Sequence, residues 1–194
     1  MINKIRYLHI FTLAITAAVL ISGCGASTRV YTHPEADMSY YLKVGVVPFQ
    51  NLSSDRFAGE KFSAEFTTAL LASNKFEVVE QGIFVNALVQ IIGARTTADG
   101  LTADQLKRIS EITGVQAVFE GVVTQYDMSP GGGNYFPVIS VEARMIDTET
   151  GTIVWKATIS ERGGPKTPII GIGEIHTLGE LSQKLSKNLV SKIN

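Results

Sequence analysis

The sequence predicts an α/β fold: a mixed sheet packed with helices, its elements in the order β-α-β-α-α-β-β-β-α. Three observations carry this. "KVGVVPF", from Lys43, is apolar on both faces through Val44, Val46, Val47 and Phe49, as a central strand covered on both sides has to be. Three later runs, "VQAVFEGVVTQYDM", "VISVEARMID" and "TIVWKATIS", are rich in β-branched and aromatic residues and read as strands. Around them lie stretches whose apolar residues recur at helical spacing.

The elements follow in chain order. After "QNLSSD", whose Ser54 or Asp55 is placed to cap, Ala58, Phe62, Phe66, Ala69 and Leu70 mark an amphipathic helix over about 56–72. "NKFEVVEQ" gives a short strand. A second helix over 83–92 turns Val85, Leu88 and Val89 inward. A third starts at Thr102, where "TADQ" has the capping-box spacing; it buries Leu106, Ile109 and Ile112 and stops at Gly114. In the second β-rich run Ile139, Val141, Ala143 and Met145 alternate with polar residues. In the third Ile153, Trp155, Ala157 and Ile159 do, which makes Trp155 a core residue. "DTETG" between these runs is hairpin chemistry. A final helix aligns Leu178, Leu181, Leu185 and Leu189 on one stripe. "SPGGGNYFP" and "GGPKTPIIGIG" read as loops from their glycine and proline content.

A chain of 194 residues, 45% hydrophobic and 18% charged, can bury one proper core. Its formal net charge of -1 offers no basic field, so nucleic acid is not an expected partner. Lys4 and Arg6 precede an apolar run from Tyr7 to Leu20 that closes on Ser22 and Gly23, the layout of a secretory signal. The competing reading, a membrane-spanning helix, needs about 20 apolar residues, more than this run supplies. The chain therefore divides into a signal peptide at 1–23, a flexible tether at 24–42 and a folded domain at 43–194.

The one cysteine of the chain, Cys24, ends this segment, so no disulfide forms within one chain. "LISGC" resembles the lipobox of bacterial lipoproteins. That resemblance implies cleavage before Cys24 and acylation of its thiol, anchoring the protein to a membrane without crossing it. Gly25, where Asp would favour the inner membrane, implies the outer membrane with the domain facing the periplasm. Apart from this covalent lipid, no cofactor or metal is expected; His33 and Asp37 lack ligand spacing.

"KVGVVPFQNLSSD", "ALLASNKFEVVEQGIFVNAL", "TGVQAVFEGVVTQYD" and "VEARMIDTETGTIVWKATIS" together resemble the CsgG-like family of curli-secretion lipoproteins, over most of 43–192. The family is related in fold to the amino-terminal domain of TolB, an anticodon-binding-like architecture, and to activators of penicillin-binding proteins. The resemblance implies a periplasmic module that binds other envelope proteins and often forms rings of identical subunits.

An enzyme is not expected. "GGG" at 131–133 is not followed by GK[ST], and "GIGEIHTLG" places His176 where a dinucleotide fingerprint needs its third glycine. His176 reads as an exposed or capping residue, and Glu65, Glu120 and Glu142 as carboxylates on solvated faces. What remains is a non-enzymatic interaction or assembly module of an envelope or secretion system. The alternatives are a pore-forming subunit of a curli-type channel and a regulator of a peptidoglycan synthase. Candidate partner contacts are Tyr135 and Phe136 in the first loop and Ile169, Ile170 and Ile172 in the second; folding back over the sheet is their structural alternative. Both loops are too short for a membrane-spanning hairpin, which takes about 20 residues plus a turn.

Overall fold

The computed structural model describes residues 27–93, 100–131, 133–164 and 174–193. In chain order these form β1 (Ser27–Thr32), a 3-10 turn (Met38–Tyr40), β2 (Lys43–Val46), β3 (Gln50–Asn51), α1 (Ala58–Ser73), β4 (Glu77–Val78), α2 (Gln81–Ile92) and α3 (Ala103–Thr113). Then come β5 (Ala117–Gly131), β6 (Asn134–Asp147), β7 (Ile153–Arg162) and α4 (Leu178–Ser191). The strands make one 7-stranded sheet in the order β1-β7-β6-β5-β2-β4, with β3 paired to β5. β2 runs parallel to β4 and β5, whereas β5, β6, β7 and β1 are successively antiparallel. The sheet is therefore mixed, and the expected α/β order stands inside it.

β2 explains why its sequence is apolar throughout. Val44 and Val46 face the core that α1 and α4 cover, and Val47 turns into a second cluster under α2 and α3. Gly45 has no side chain because α2 lies there: an added Cβ would come within 2.0 Å of the Phe84 ring.

α1 buries Ala58, Phe62, Phe66, Ala69 and Leu70, the stripe its periodicity predicts. Asp55 fixes its approach by accepting from Phe57 N at 2.8 Å, and Asn74, at φ 54, ends it in the left-handed region. α2 is rotated from expectation. Phe84, Ala87 and Leu88 are buried and Val89 is exposed, because Phe84 fills the notch over Gly45. α3 has the capping box between Thr102 and Gln105, buries Leu106 and Ile109, and stops at Gly114, whose φ is 73. Thr113 takes the third inward place, and Ile112 is exposed.

Trp155 is fully buried, edge-on to Phe119 at a centroid distance of 6.3 Å. Its indole Nε1 donates to Lys192 O at 3.1 Å. A register shift opposite Met145 and Ile146 puts Val154 in the core with Trp155 and leaves Ile153 against the second cluster. Leu181, Leu185 and Leu189 of α4 complete the main core. Tyr41 closes one end of the sheet by donating its hydroxyl to Asp147 Oδ2 at 3.0 Å. Burial first, and that carboxylate second, raise the phenol's pKa.

Three expectations are corrected. The piece read as a tether, 24–42, contains β1, whose six residues pair with β7 from Ser27↔Ser160 to Thr32↔Trp155. A polar stretch suffices because an edge strand buries little, while pairing satisfies the outer hydrogen-bonding groups of β7. "SPGGGNYFP" is not a loop: the ladder runs to Gly131↔Asn134, and Gly133, at φ 85, lies in the reversal. Glu120 is not on a solvated face but is 6% exposed.

Candidate functional site

At one end of the sheet β5 and β6 continue past their neighbours as a two-stranded projection. Ser140 pairs with Ser160, and Ser160 with Ser27, the first residue of β1. Beyond that row β7 follows β6 for two more pairs, Ile139↔Glu161 and Val138↔Arg162, and β6 then continues with β5 alone from Pro137 to Asn134, a reach of about 14 Å at ~3.4 Å per residue. Arg162 ties the projection to the sheet, its Nη2 donating to Pro130 O at 2.8 Å.

Two of the candidate contact residues lie on this projection, and they part company. Tyr135 is 67% exposed, whereas Phe136 is 7% exposed. The Arg162 guanidinium sits 5.7 Å above the Phe136 ring, the His176 ring is 6.1 Å away, and a Cβ on Gly164 would touch it at 3.2 Å. Phe136 therefore folds back, so the exposed contact expected of it is withdrawn. Ile169, Ile170, Ile172 and Cys24 lie outside the described residues. His176 is exposed: its Nε2 stands 3.3 Å from Glu174 Oε2, and its backbone N donates to Glu180.

A second feature, missed by sequence reasoning, is a shallow groove of about 210 Å³ on the sheet face away from α1 and α4. Val47, Pro48, Gly121 and Val122 form part of its wall, with Glu120, Glu142 and Arg144 supplying the charge. Arg144 donates to Glu120 Oε2 through Nε at 3.0 Å and Nη2 at 2.6 Å. Next to them Lys156 pairs with Glu142 at 2.8 Å. Glu120 Oε1 is buried without a hydrogen-bond partner among the described residues. The signal for this pair was in the register, since Glu120 and Arg144 are direct cross-strand partners in the β5–β6 hairpin. Chemically the row offers fixed, largely self-compensated charge. Among the described residues no three His, Cys, Asp or Glu side chains cluster to hold a metal, and no helix is long and apolar enough to cross a membrane.

No curated protein matches the chain. Solved structures do. Similar in fold is the PelC dodecamer from Paraburkholderia phytofirmans, at 18% identity and TM-score 0.57, covering 87% of this chain and 97% of that one. So is lipoprotein GNA1162 from Neisseria meningitidis, at 23% identity and TM-score 0.54, covering 78% and 99%. A third is the hypothetical protein CT253 from Chlamydia trachomatis, at 12% identity and TM-score 0.54, covering 79% and 95%. At such identities the likeness establishes the architecture. The family described as "Curli production assembly/transport component CsgG" matches residues 34–193, most of the chain including the 3-10 turn before β2, and the chain belongs to that family.

Proposed function

We propose that this protein is an outer-membrane lipoprotein, anchored through Cys24 on the periplasmic face, that acts as a non-enzymatic assembly module of an envelope or secretion system. The observation that carries the reading is membership over residues 34–193 of a family described as an assembly and transport component. The PelC relative is a dodecamer and the GNA1162 relative a lipoprotein, which supports self-association and a lipid anchor here. "ISGC" at the end of the apolar run supplies the residue for that anchor.

An accessory subunit is favoured over a self-sufficient pore. The β5–β6 projection beyond the Ser140 row is shorter than the roughly 9–11 residues per strand that a bilayer-spanning barrel takes. The test is made in native membranes, with fatty-acid labelling, density fractionation and cross-linking of the full chain. Label on the wild type but not on Cys24→Ala, outer-membrane density, and a ladder of cross-linked species are expected. An unlabelled, soluble, uncross-linked chain sinks the proposal.

A further inference from the structure

β1 is held to the sheet differently from the other long strands. It pairs with β7 over six residues, from Ser27↔Ser160 to Thr32↔Trp155. Unlike β2, β5, β6 and β7, it buries none of them. Its two large apolar side chains, Val30 and Tyr31, are 44% and 48% exposed. As neighbours in a strand they point to opposite faces, so neither face of β1 is packed. Among the described residues no β1 side chain makes a hydrogen bond, an ion pair or a ring contact, and the backbone ladder alone retains the strand. β7 does not depend on it in return. Val154, Trp155, Ala157 and Ile159 are buried in the main core, and β7 pairs with β6 from Val138↔Arg162 to Ile146↔Ile153.

A ladder on its own is a weak hold. Hydrogen bonds at a sheet edge are exchanged for bonds to water when the strand leaves, so their net worth is small, and the backbone order they require opposes them. Apolar burial, which decides the balance elsewhere in the sheet, is missing here. The weakly held part also has a sharp end. The N–H of His33 makes the last bond to β7, at 2.9 Å from Val154 O, and Pro34 after it has no N–H to give. Ala36 and Met38 then pack against the main core. Tyr41 is buried and bonded to Asp147, and the N–H groups of Leu42 and Lys43 both donate to Gln116 Oε1 at 2.9 Å. The firm hold of the domain on its own chain therefore begins at Ala36, and residues 27–35 before it depend on the ladder.

We propose that β1 is a releasable strap, which leaves β7 as a unit while the rest of the domain stays folded and so sets the length of chain by which the domain hangs from whatever precedes Ser27. With β1 docked, the point of suspension is the Ser160 row at the edge of the sheet. With β1 free it moves to Ala36, and residues 27–35 add up to about 30 Å of reach at ~3.4 Å per residue. The core is the same in both states, as a local opening of the least-packed element requires. The release itself does not depend on a lipid. Its consequence rests on the reading of Cys24 as the anchor, under which the domain stands nearer the membrane with β1 docked and farther from it with β1 free.

The full chain is purified in detergent, and hydrogen exchange is followed by mass spectrometry in peptides covering 27–33 and 139–146. The β1 amides bonded to β7 should exchange about 100-fold or more faster than those of β6, yet about 10-fold or more slower than in a free chain. Urea below the unfolding transition should leave their rate unchanged, because a local opening exposes little surface. Exchange in step with β6 and quickened by urea in the same proportion shows that β1 leaves only with the whole domain, and overturns the proposal. Exchange as fast as in a free chain overturns it as well, since nothing is then docked. Arg29→Pro combined with Val30→Pro gives a second measurement. Consecutive N–H groups of an edge strand point to opposite sides, so the pair removes a ladder donor whichever of them faces β7. This variant should lose the protection of 27–33 and keep the wild-type urea midpoint; a lowered midpoint, or a chain that does not fold, overturns the strap. The intact mass of the wild type reads the anchor separately: a chain without an acyl group ends that reading, while local opening of β1 still supports the strap.

Discussion

On the side of the sheet that α1 and α4 cover, Phe119, Val123, Ile139, Val141, Ala143 and Met145 are all buried in one apolar cluster. On the other side the same two strands carry Glu120, Val122, Ser140, Glu142 and Arg144. There α2 and α3 cover β2 and only the ends of β5 and β6, at Val118 and Ile146. One face is closed by packing and the other by pairing, each charge meeting its opposite on the next strand. The difference predicts two kinds of failure. A truncation on the packed face leaves a void that nothing can repair, whereas a truncation on the paired face leaves a charge that a second change can remove.

Trp155 tests the packed face most severely. It is fully buried, its indole is bonded to Lys192 O near the end of α4, and it lies edge-on to Phe119. Trp155→Ala should cost about 3–5 kcal/mol in urea unfolding. A loss under about 0.5 kcal/mol would mark it as a surface contact and dissolve the contrast between the faces.

On the paired face the informative variants are Arg144→Met and its combination with Glu120→Gln. Arg144→Met strips both donors from Glu120 Oε2 and strands a carboxylate whose other oxygen has no partner among the described residues. The expected cost is about 1–3 kcal/mol, kept below that of a fully buried pair because the arginine side chain is 34% exposed and screened. Adding Glu120→Gln should restore most of it, since no stranded charge remains. A double variant as unstable as the sum of the singles would show that the two residues do not act as a pair.

The packed face was legible in the sequence and the paired face was not. Phe62, Phe66 and Leu70 declare a helix stripe by spacing alone, and Thr102 with Gln105 declares where a helix starts; both depend only on near neighbours in the chain. Glu120 and Arg144 become partners only once the reversal between Gly131 and Asn134 sets the register of β5 on β6. The rotation of α2 was hidden for a similar reason, since Phe84 is drawn in by a glycine on a strand that precedes α1. β1 lacked a signal of its own, because an edge strand wet on almost all its surface shows no alternation. Phe136 and Tyr135 are adjacent, both aromatic and equally plausible as contacts; only the return of Gly164 and His176 over one of them separates the two.

The smallest expected effect concerns how α4 is started on the packed face. Thr177 Oγ1 accepts from Glu180 N at 3.2 Å, and Glu180 Oε2 accepts from Thr177 N at 3.2 Å and His176 N at 3.3 Å. The Thr177 side chain first, then the two backbone N–H groups, hold the Glu180 carboxyl below the usual glutamate range. A carboxyl whose pKa is lower folded than unfolded gives stability that is fully present above the unfolded value. That stability is lost as pH falls through the folded one. Thr177→Ala removes the first cause, so it should cost about 1 kcal/mol at neutral pH and also flatten the fall of stability below about pH 4.3. α2, on the other face, begins at Glu80, which accepts from Ile83 N and is lowered by the backbone N–H groups of Gly82 and Ile83, so Thr177→Ala leaves its share of the acid loss intact. Urea unfolding of wild type and Thr177→Ala from neutral to acid pH should therefore give curves that converge as the pH falls. Curves that stay parallel would show that the Thr177 hydroxyl caps α4 without tuning the carboxylate.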